Sequence, residues 1–175
     1  MIKKEFLTGA FTFLLLLTTG WLWLSANGLS TAPEITFKIT DGRQINLHAL
    51  QGKPVLVTFW ATSCPGCIKE MPHLISLYNE LSGKGFEIIG VAMAYDPPNQ
   101  VLELAKQRQI PYPIALDIDG TIAKTFDDVI LTPTSFLIAP DGRVVKHKIG
   151  EMNIDDLRKQ ILELLTQQQL VAGGS

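Results

Sequence analysis

Two cysteines separated by two residues, Cys64 and Cys67, are the side chains of this sequence best suited to chemistry. They are the only cysteines among 175 residues, so no third cysteine remains for a structural bridge. Two thiols at this spacing are typical of a reversible dithiol–disulfide pair. They follow an apolar run, Val55 to Trp60, and precede a segment with helical spacing. The sequence therefore predicts a redox dithiol where a strand gives way to a helix.

The position at a helix start favours Cys64 as the attacking sulfur. A thiolate attacks disulfides, and the unpaired amides and dipole at a helix N-terminus stabilise a nearby anion. Pro65 suits the first helical position, while Gly66 and Cys67 offer amides to the Cys64 sulfur. We expect a lowered pKa for Cys64, a mixed disulfide between Cys64 and the substrate, and release of that substrate by Cys67.

A metal site is the main alternative use of two cysteines. Tetrahedral zinc takes four ligands, and the chain has no second cysteine pair to supply them. The three histidines, His48, His73 and His147, are scattered along the chain without ligand spacing. We therefore expect neither a metal nor a cofactor at the dithiol.

The elements around the dithiol predict an α/β layer fold. Predicted strands cover 35–39, 44–47, 55–60, 86–93, 114–116, 134–138 and 144–149, and predicted helices cover 65–81, 99–109, 121–126 and 154–165. The first two strands read as a β-hairpin, Pro72 is expected to kink the first helix, and Asn153 is the expected cap of the last. The remaining order, βαβαβαββα, predicts a mixed sheet with helices on both faces.

Residues 1–26 predict a membrane anchor. Nineteen residues, Phe6 to Leu24, carry no charge and would span roughly 28 Å as a helix, close to the thickness of a bilayer core. Lys3 and Lys4 favour a cytoplasmic N-terminus. The rest of the chain would then lie on the periplasmic or extracytoplasmic side, where disulfides persist. A signal peptide cleaved near residues 30–32 is the alternative.

The sequence after the predicted anchor, residues 27–175, is predicted to contain one domain. We expect a linker at 27–33, a domain at 34–166 and a flexible tail at 167–175, since about 130 residues are enough for a single core. With 15 basic and 17 acidic side chains the formal net charge is −2. That balance gives no support for nucleic-acid binding.

The segment from Trp60 to Cys67 resembles the active-site segment of the thioredoxin superfamily, and its membrane-anchored TlpA/ResA-like branch is the best match. Pro72, five residues after Cys67, is similar to the kink proline of that family's active-site helix. Thr132-Pro133-Thr134 resembles its cis-proline loop, and residues 99–129 resemble the extra βα unit of the branch. The match covers nearly all of the predicted domain.

The resemblance implies roles for the neighbours of the dithiol. It places a substrate-binding surface at Trp60, Pro65, Gly66, Thr132 and Pro133. Pro133 would be cis, and Thr132 would offer backbone groups to an extended substrate peptide. Two alternatives stay open, since Trp60 also suits plain core packing and Pro133 also suits an ordinary strand start.

Glu70 is a further candidate, because the ResA-like proteins carry an acid at the matching position near the active site, where it influences thiol acidity. Such a carboxylate could accept the proton of Cys67, or raise the pKa of Cys67 if the carboxylate is charged. The alternative is a solvated surface charge beside Lys69. The chain departs from thioredoxin at Thr58, where thioredoxin carries a buried acid, and in its Pro-Gly dipeptide, where thioredoxin has Gly-Pro.

The resemblance implies a membrane-anchored thiol-disulfide oxidoreductase that exchanges disulfides with proteins outside the cytoplasm. The family favours reduction, including that of apocytochrome c before haem attachment, with a membrane electron donor as partner. A disulfide-forming oxidase, a peroxidase and a metal carrier are the rival functions. The peroxidase is disfavoured, because Ala61 stands where peroxiredoxins need a threonine.

Overall fold

The computed structural model describes residues 31–172 and the side chains of residues 31–168. The expected membrane anchor at 1–26 and the first part of the expected linker lie outside the described residues. Across residues 31–172, no helix combines the length and the apolar character that crossing a membrane requires.

A two-stranded hairpin opens the described part of the chain. Strand β1, Thr36–Lys38, pairs antiparallel with β2, Gln44–Asn46. A short 3-10 turn, His48–Leu50, then leads into the main sheet. The expected hairpin is confirmed, and Phe37 points its buried ring from β1 into the core.

Five strands form the main sheet in the order β5-β4-β3-β6-β7. The strands are β3 (Val55–Trp60), β4 (Glu87–Ala92), β5 (Ile114–Leu116), β6 (Thr134–Ile138) and β7 (Val144–Ile149). Strands β3, β4 and β5 run parallel, whereas β6 runs antiparallel to β3 and β7 antiparallel to β6. All six residues of β3 are buried, because both faces of a central strand are covered. The expected mixed sheet is confirmed.

Four helices complete the fold: α1 (Pro65–Leu81), α2 (Pro98–Gln107), α3 (Thr121–Thr125) and α4 (Ile154–Ala172). Helix α1 continues through Pro72, whose missing N–H leaves the carbonyl of Ile68 without its usual helical bond. Asn153 caps α4, since its Oδ1 accepts a hydrogen bond from Asp156 N at 3.0 Å. The expected order βαβαβαββα is thus observed.

Helix α4 runs further than the sequence analysis expects. It continues to Ala172, so residues 167–172 of the expected flexible tail are helical. Glutamine propagates a helix almost as well as leucine, and the run Gln167–Gln169 contains no glycine or proline to end it. Leu165, where the hydrophobic spacing placed the end of the helix, is the last buried residue of α4 among those whose side chains the structure describes.

The core lies on both faces of the sheet. On one face, aromatic rings from β1, β3, β6 and the end of α3 pack together, with Phe59 and Phe126 edge to face at a centroid distance of 5.4 Å. On the other face, β3 and β4 pack against α1 and α4. The carboxyl ends of β3, β4 and β7 and the amino end of β6 meet at one edge of the sheet. Residues just after β3, β4 and β7 and just before β6 therefore lie close together at this edge.

Candidate active site

The dithiol lies at that edge, where β3 gives way to α1. Cys64 has extended backbone geometry and caps the helix, and Pro65 occupies the first helical turn. Cys64 and Cys67 form a disulfide with their Cα atoms 5.3 Å apart. The N–H of Cys67 donates to the Cys64 Sγ at 3.2 Å. One of the unpaired amides at the helix start thus meets the sulfur, as the sequence predicts.

The two sulfurs differ in access to solvent. Cys67 is only 4 % exposed and packs with Trp60 and Met71, whereas Cys64 is half-buried. A substrate can approach Cys64 alone without a rearrangement of α1. This asymmetry is the one expected of an attacking cysteine and a resolving cysteine.

The proline loop faces the dithiol. The Thr132–Pro133 peptide bond is cis, so the ordinary strand-start alternative is wrong. A Cβ placed on Gly66 would lie 3.4 Å from Pro133 Cδ, which shows how closely the loop approaches the first turn of α1. The Tyr95 hydroxyl lies 3.3 Å from Thr132 Oγ1, so the residue before Pro133 also contacts the segment after β4.

Glu70 is buried, and its interpretation as a solvated surface charge is wrong. It is 4 % exposed, and its Oε1 accepts a hydrogen bond from Met152 N at 2.7 Å. Burial raises the pKa of Glu70 above its usual value, although the Met152 bond opposes this. The pKa of this carboxyl group therefore lies closer to neutral pH than the pKa of an exposed glutamate. A raised pKa suits a group that exchanges protons.

Glu70 and the buried Cys67 line the same small cavity, which has a volume of about 10 Å³. Its lining includes Cys67, Glu70, Trp60, Tyr112 and Pro133. Burial raises the pKa of Tyr112, so that its hydroxyl stays protonated. Trp60 is buried against Cys67, and its Nε1 has no hydrogen-bond partner among the described residues. The indole of Trp60 therefore packs in the core beside Cys67, and its role in shielding the dithiol stays a prediction.

Thr58, where thioredoxin carries an acid, is part of a neutral pair. The Ser135 hydroxyl donates to Thr58 Oγ1 at 2.8 Å, and both side chains are buried. This position cannot bind a proton from the dithiol. In the lining of the cavity, the ionisable carboxyl group is that of Glu70.

Asp96 belongs to the site and was missed by the sequence analysis. It is 5 % exposed, and its carboxylate accepts hydrogen bonds from Thr62 N at 2.7 Å and from Thr62 Oγ1 at 2.5 Å. These bonds fix the loop two residues before Cys64. The sequence did carry a sign of this contact. Strands β3 and β4 are parallel neighbours, so their carboxyl ends lie side by side. Thr62 follows the end of β3 and Asp96 follows the end of β4, which places the two residues close together.

The segment between β7 and α4, residues 150–152, was also missed. Gly150 N donates to the Pro133 carbonyl at 2.7 Å, and Glu151 forms an ion pair with Lys69. Together with the Met152–Glu70 bond, these contacts tie the segment to the proline loop and to α1. Only the pairing of β7 with β6 places it there, and the sequence carries no local sign of that.

Comparison with known proteins agrees with this geometry. The Redoxin family model matches residues 29–161. The thiol-disulfide oxidoreductase ResA of Bacillus thuringiensis subsp. konkukian is 37% identical over 133 residues, which cover 76% of each protein. The ResA of Bacillus subtilis is 36% identical over 123 residues, covering 70% of this chain and 68% of that protein.

Solved structures give the same result. The crystal structure of a thiol:disulfide interchange protein from Chlorobium tepidum has a TM-score of 0.71 and 26% identity, covering 80% of this chain and 98% of that one. StoA from Bacillus subtilis has a TM-score of 0.63 and 29% identity, covering 74% and 97%. The chain belongs to the redoxin family, and it is a ResA-like thiol-disulfide oxidoreductase.

Proposed function

We propose that this chain reduces disulfides in proteins outside the cytoplasm, with Cys64 as the attacking and Cys67 as the resolving cysteine. The observation that carries the proposal is the contrast between the two sulfurs. The half-buried Cys64 lies at a helix start beside the cis-proline loop, and the buried Cys67 shares a cavity with Glu70.

In the first step, the Cys64 thiolate attacks one sulfur of a substrate disulfide. A mixed disulfide forms between Cys64 and that sulfur, and the other substrate sulfur leaves as a thiolate. Amides in the first turn of α1, including Cys67 N, stabilise the negative charge on Cys64 before the attack.

In the second step, Cys67 attacks the Cys64 sulfur and releases the second substrate thiolate. Two electrons have then passed from the dithiol to the substrate, and the chain is left with the Cys64–Cys67 disulfide. Glu70 in its ionised form accepts the Cys67 proton, for which a carboxyl group with a raised pKa is well suited.

The substrate peptide lies along the proline loop in this proposal. Thr132 supplies backbone groups to an extended segment, as in strand addition. Pro65 and Gly66 form the opposite wall, and Trp60 keeps water away from Cys67. Pro133 Cδ would lie 3.4 Å from a Cβ placed on Gly66, and this close approach of the loop to α1 supports a narrow surface that admits an extended chain.

Residues 1–26 anchor the domain to the membrane in this proposal, with the dithiol on the periplasmic or extracytoplasmic side. An electron donor in the membrane returns the disulfide to the dithiol. Apocytochrome c before haem attachment is the proposed substrate, since its haem-binding cysteines must be reduced. The relatives' name, thiol-disulfide oxidoreductase ResA, supports the exchange chemistry.

Reduction of insulin and of an oxidised apocytochrome c peptide tests the proposal. Wild-type protein should reduce both, and Cys64→Ser should lose the activity. Intact activity in Cys64→Ser would refute the proposal. The reduction potential decides the direction, because a value near about −120 mV would indicate an oxidase.

A further inference from the structure

The turn between β7 and α4, residues 150–152, contacts the active site at three points. Gly150 N binds the Pro133 carbonyl, Met152 N binds Glu70 Oε1, and Glu151 Oε2 lies 2.7 Å from Lys69 Nζ. Gly150 has a φ of +88°, which a side chain would disfavour. Two of the contacts have evident roles, since they position the proline loop and Glu70. The third contact is an ion pair that joins the turn to α1.

Glu151 lies over the first turn of α1. Its Cγ and Oε1 are each 3.5 Å from the position of a Cβ built on Gly66. Gly66 stands between the two cysteines, so this carboxylate is the acidic group that packs on the dithiol loop itself. Lys69, one turn further along α1, supplies the opposite charge.

Stability does not account for this ion pair. The side chains of Lys69 and Glu151 are 72% and 43% exposed, and ion pairs this exposed contribute little to folding. A comparable pair, Arg158 with Glu80, joins α4 to α1 away from the dithiol. What distinguishes the Glu151 pair is its place at the start of α1.

Charges beside the first turn of α1 affect how readily Cys64 forms a thiolate. The unpaired amides of a helix start stabilise a nearby anion, and the Cys64 sulfur and the Glu151 carboxylate both lie beside the first turn of α1. The Glu151 charge opposes a second negative charge on the sulfur, and the Lys69 charge favours it. Opposing charges of this kind set how much thiolate is present at a given pH.

We propose that Glu151, held by Lys69, is a positioning residue that limits the amount of thiolate at Cys64 by setting the charge over the first turn of α1. The inference rests on the proposed role of Cys64 as the nucleophile. It assigns Glu151 and Lys69 opposite effects on one sulfur, which a purely structural ion pair would not have.

Glu151 has a second effect through Glu70. Its charge is one of the causes that raise the pKa of Glu70, after burial, while His73 on α1 acts in the opposite direction. Tyr112, on the loop before β5, shares the cavity with Glu70. Neutralising Glu151 should therefore ease ionisation at both Cys64 and Glu70.

The other titratable groups near the dithiol are the same in every variant. Asp96, on the loop after β4, is held by Thr62. His73 and Tyr112 are likewise left unsubstituted. Differences between the variants below therefore report the two altered charges.

The test measures alkylation of Cys64 against pH in the reduced full chain, with the modified residue identified by mass spectrometry. Glu151→Gln should move the midpoint of the profile down by about half a pH unit, the order of effect that one unit charge has on a nearby group across a well-hydrated surface. That shift means about threefold more thiolate below the midpoint. Lys69→Met should move the midpoint up by a similar amount.

The double variant Glu151→Gln/Lys69→Met should lie between the two single variants. Glu80→Gln and Arg158→Met are the matched controls, because they break an ion pair between α1 and α4 that lies away from the dithiol, and they should leave the profile unchanged. Thermal unfolding checks that each variant is folded. If Glu151→Gln does not fold, the direction of the midpoint shift in Lys69→Met, compared with the control Arg158→Met, decides the test.

Shifts of opposite sign would support the inference. Shifts of the same sign, or no shift in either variant, would overturn it while leaving the proposed function intact. A wild-type Cys64 that alkylates like an ordinary free thiol and forms no mixed disulfide would overturn both.

Discussion

Gly90 lies where two rings of the active-site cavity meet. A Cβ built on Gly90 would stand 3.2 Å from Trp60 Nε1 and 3.2 Å from Tyr112 Cε2. Both rings are almost fully buried, and both line the cavity beside Cys67. Gly90→Ala therefore cannot be accommodated unless at least one ring moves away from β4, and we expect it to destabilise the oxidised protein.

The magnitude follows from two opposing contributions. Overpacking a filled core by one methyl group costs about 1–3 kcal/mol. Replacing glycine by alanine inside a strand returns about 0.5–1 kcal/mol, because the unfolded chain loses freedom. The midpoints of the two ranges leave a net loss of roughly 1 kcal/mol in the free energy of unfolding. In a domain of this size that lowers Tm by about 2–4 °C per kcal/mol.

Urea unfolding of the oxidised protein measures this loss. Gly83→Ala is the matched control, since no heavy atom lies within 4 Å of its built Cβ, and it should be neutral or slightly stabilising. In a double-mutant cycle, Gly90→Ala should cost less in a Trp60→Phe background, because phenylalanine lacks the crowded Nε1. A Gly90→Ala protein as stable as the wild type, or a cost unchanged by Trp60→Phe, would refute this packing.

Three further variants test the polar groups of the site. Burial raises the pKa of Glu70 above its ordinary value, so the folded chain binds more protons than the unfolded chain at pH values between the two pKa values. The free energy of unfolding should then fall as the pH rises through the window between the unfolded and folded pKa values. Urea titrations from pH 4 to 8 should show a weaker dependence of this free energy on pH for Glu70→Gln than for the wild type. Asp96→Asn leaves a Thr62 donor without its acceptor, which should cost about 1–3 kcal/mol in urea unfolding; a loss below about 0.5 kcal/mol would contradict the paired geometry. Thr58→Val removes the acceptor of the buried Ser135 hydroxyl and should cost a similar amount by the same measurement, whereas an unchanged midpoint would show that the hydroxyl has another partner.

The sequence predicted the elements that carry strong local signals. Helix α1 has the expected bounds because Pro65 marks its start and its apolar residues recur at helical spacing. Strand β6 likewise has the expected bounds, since the proline before it and the turn after it delimit a continuous buried run. The dithiol at the junction of β3 and α1 and the cis bond before Pro133 were both predicted from local sequence and resemblance.

The contacts that complete the site depend on pairs distant in the sequence. Helical spacing places Glu70 on a face of α1, but its burial is decided by Met152, 82 residues away. Asp96 meets Thr62 across 34 residues, and Glu151 meets Lys69 across 82. None of these pairs leaves a local pattern, and they appear only once the order of the strands is known.

Trapping of a mixed disulfide tests the order of the two cysteines most directly. The variant Cys67→Ala is incubated with an oxidised apocytochrome c peptide, and the covalent adduct is mapped by mass spectrometry. We predict a stable adduct through Cys64, and no adduct with Cys64→Ala, in which only the buried Cys67 remains. An adduct that forms through Cys67 at a comparable rate, or no adduct through Cys64, would contradict the assignment of Cys64 as the nucleophile.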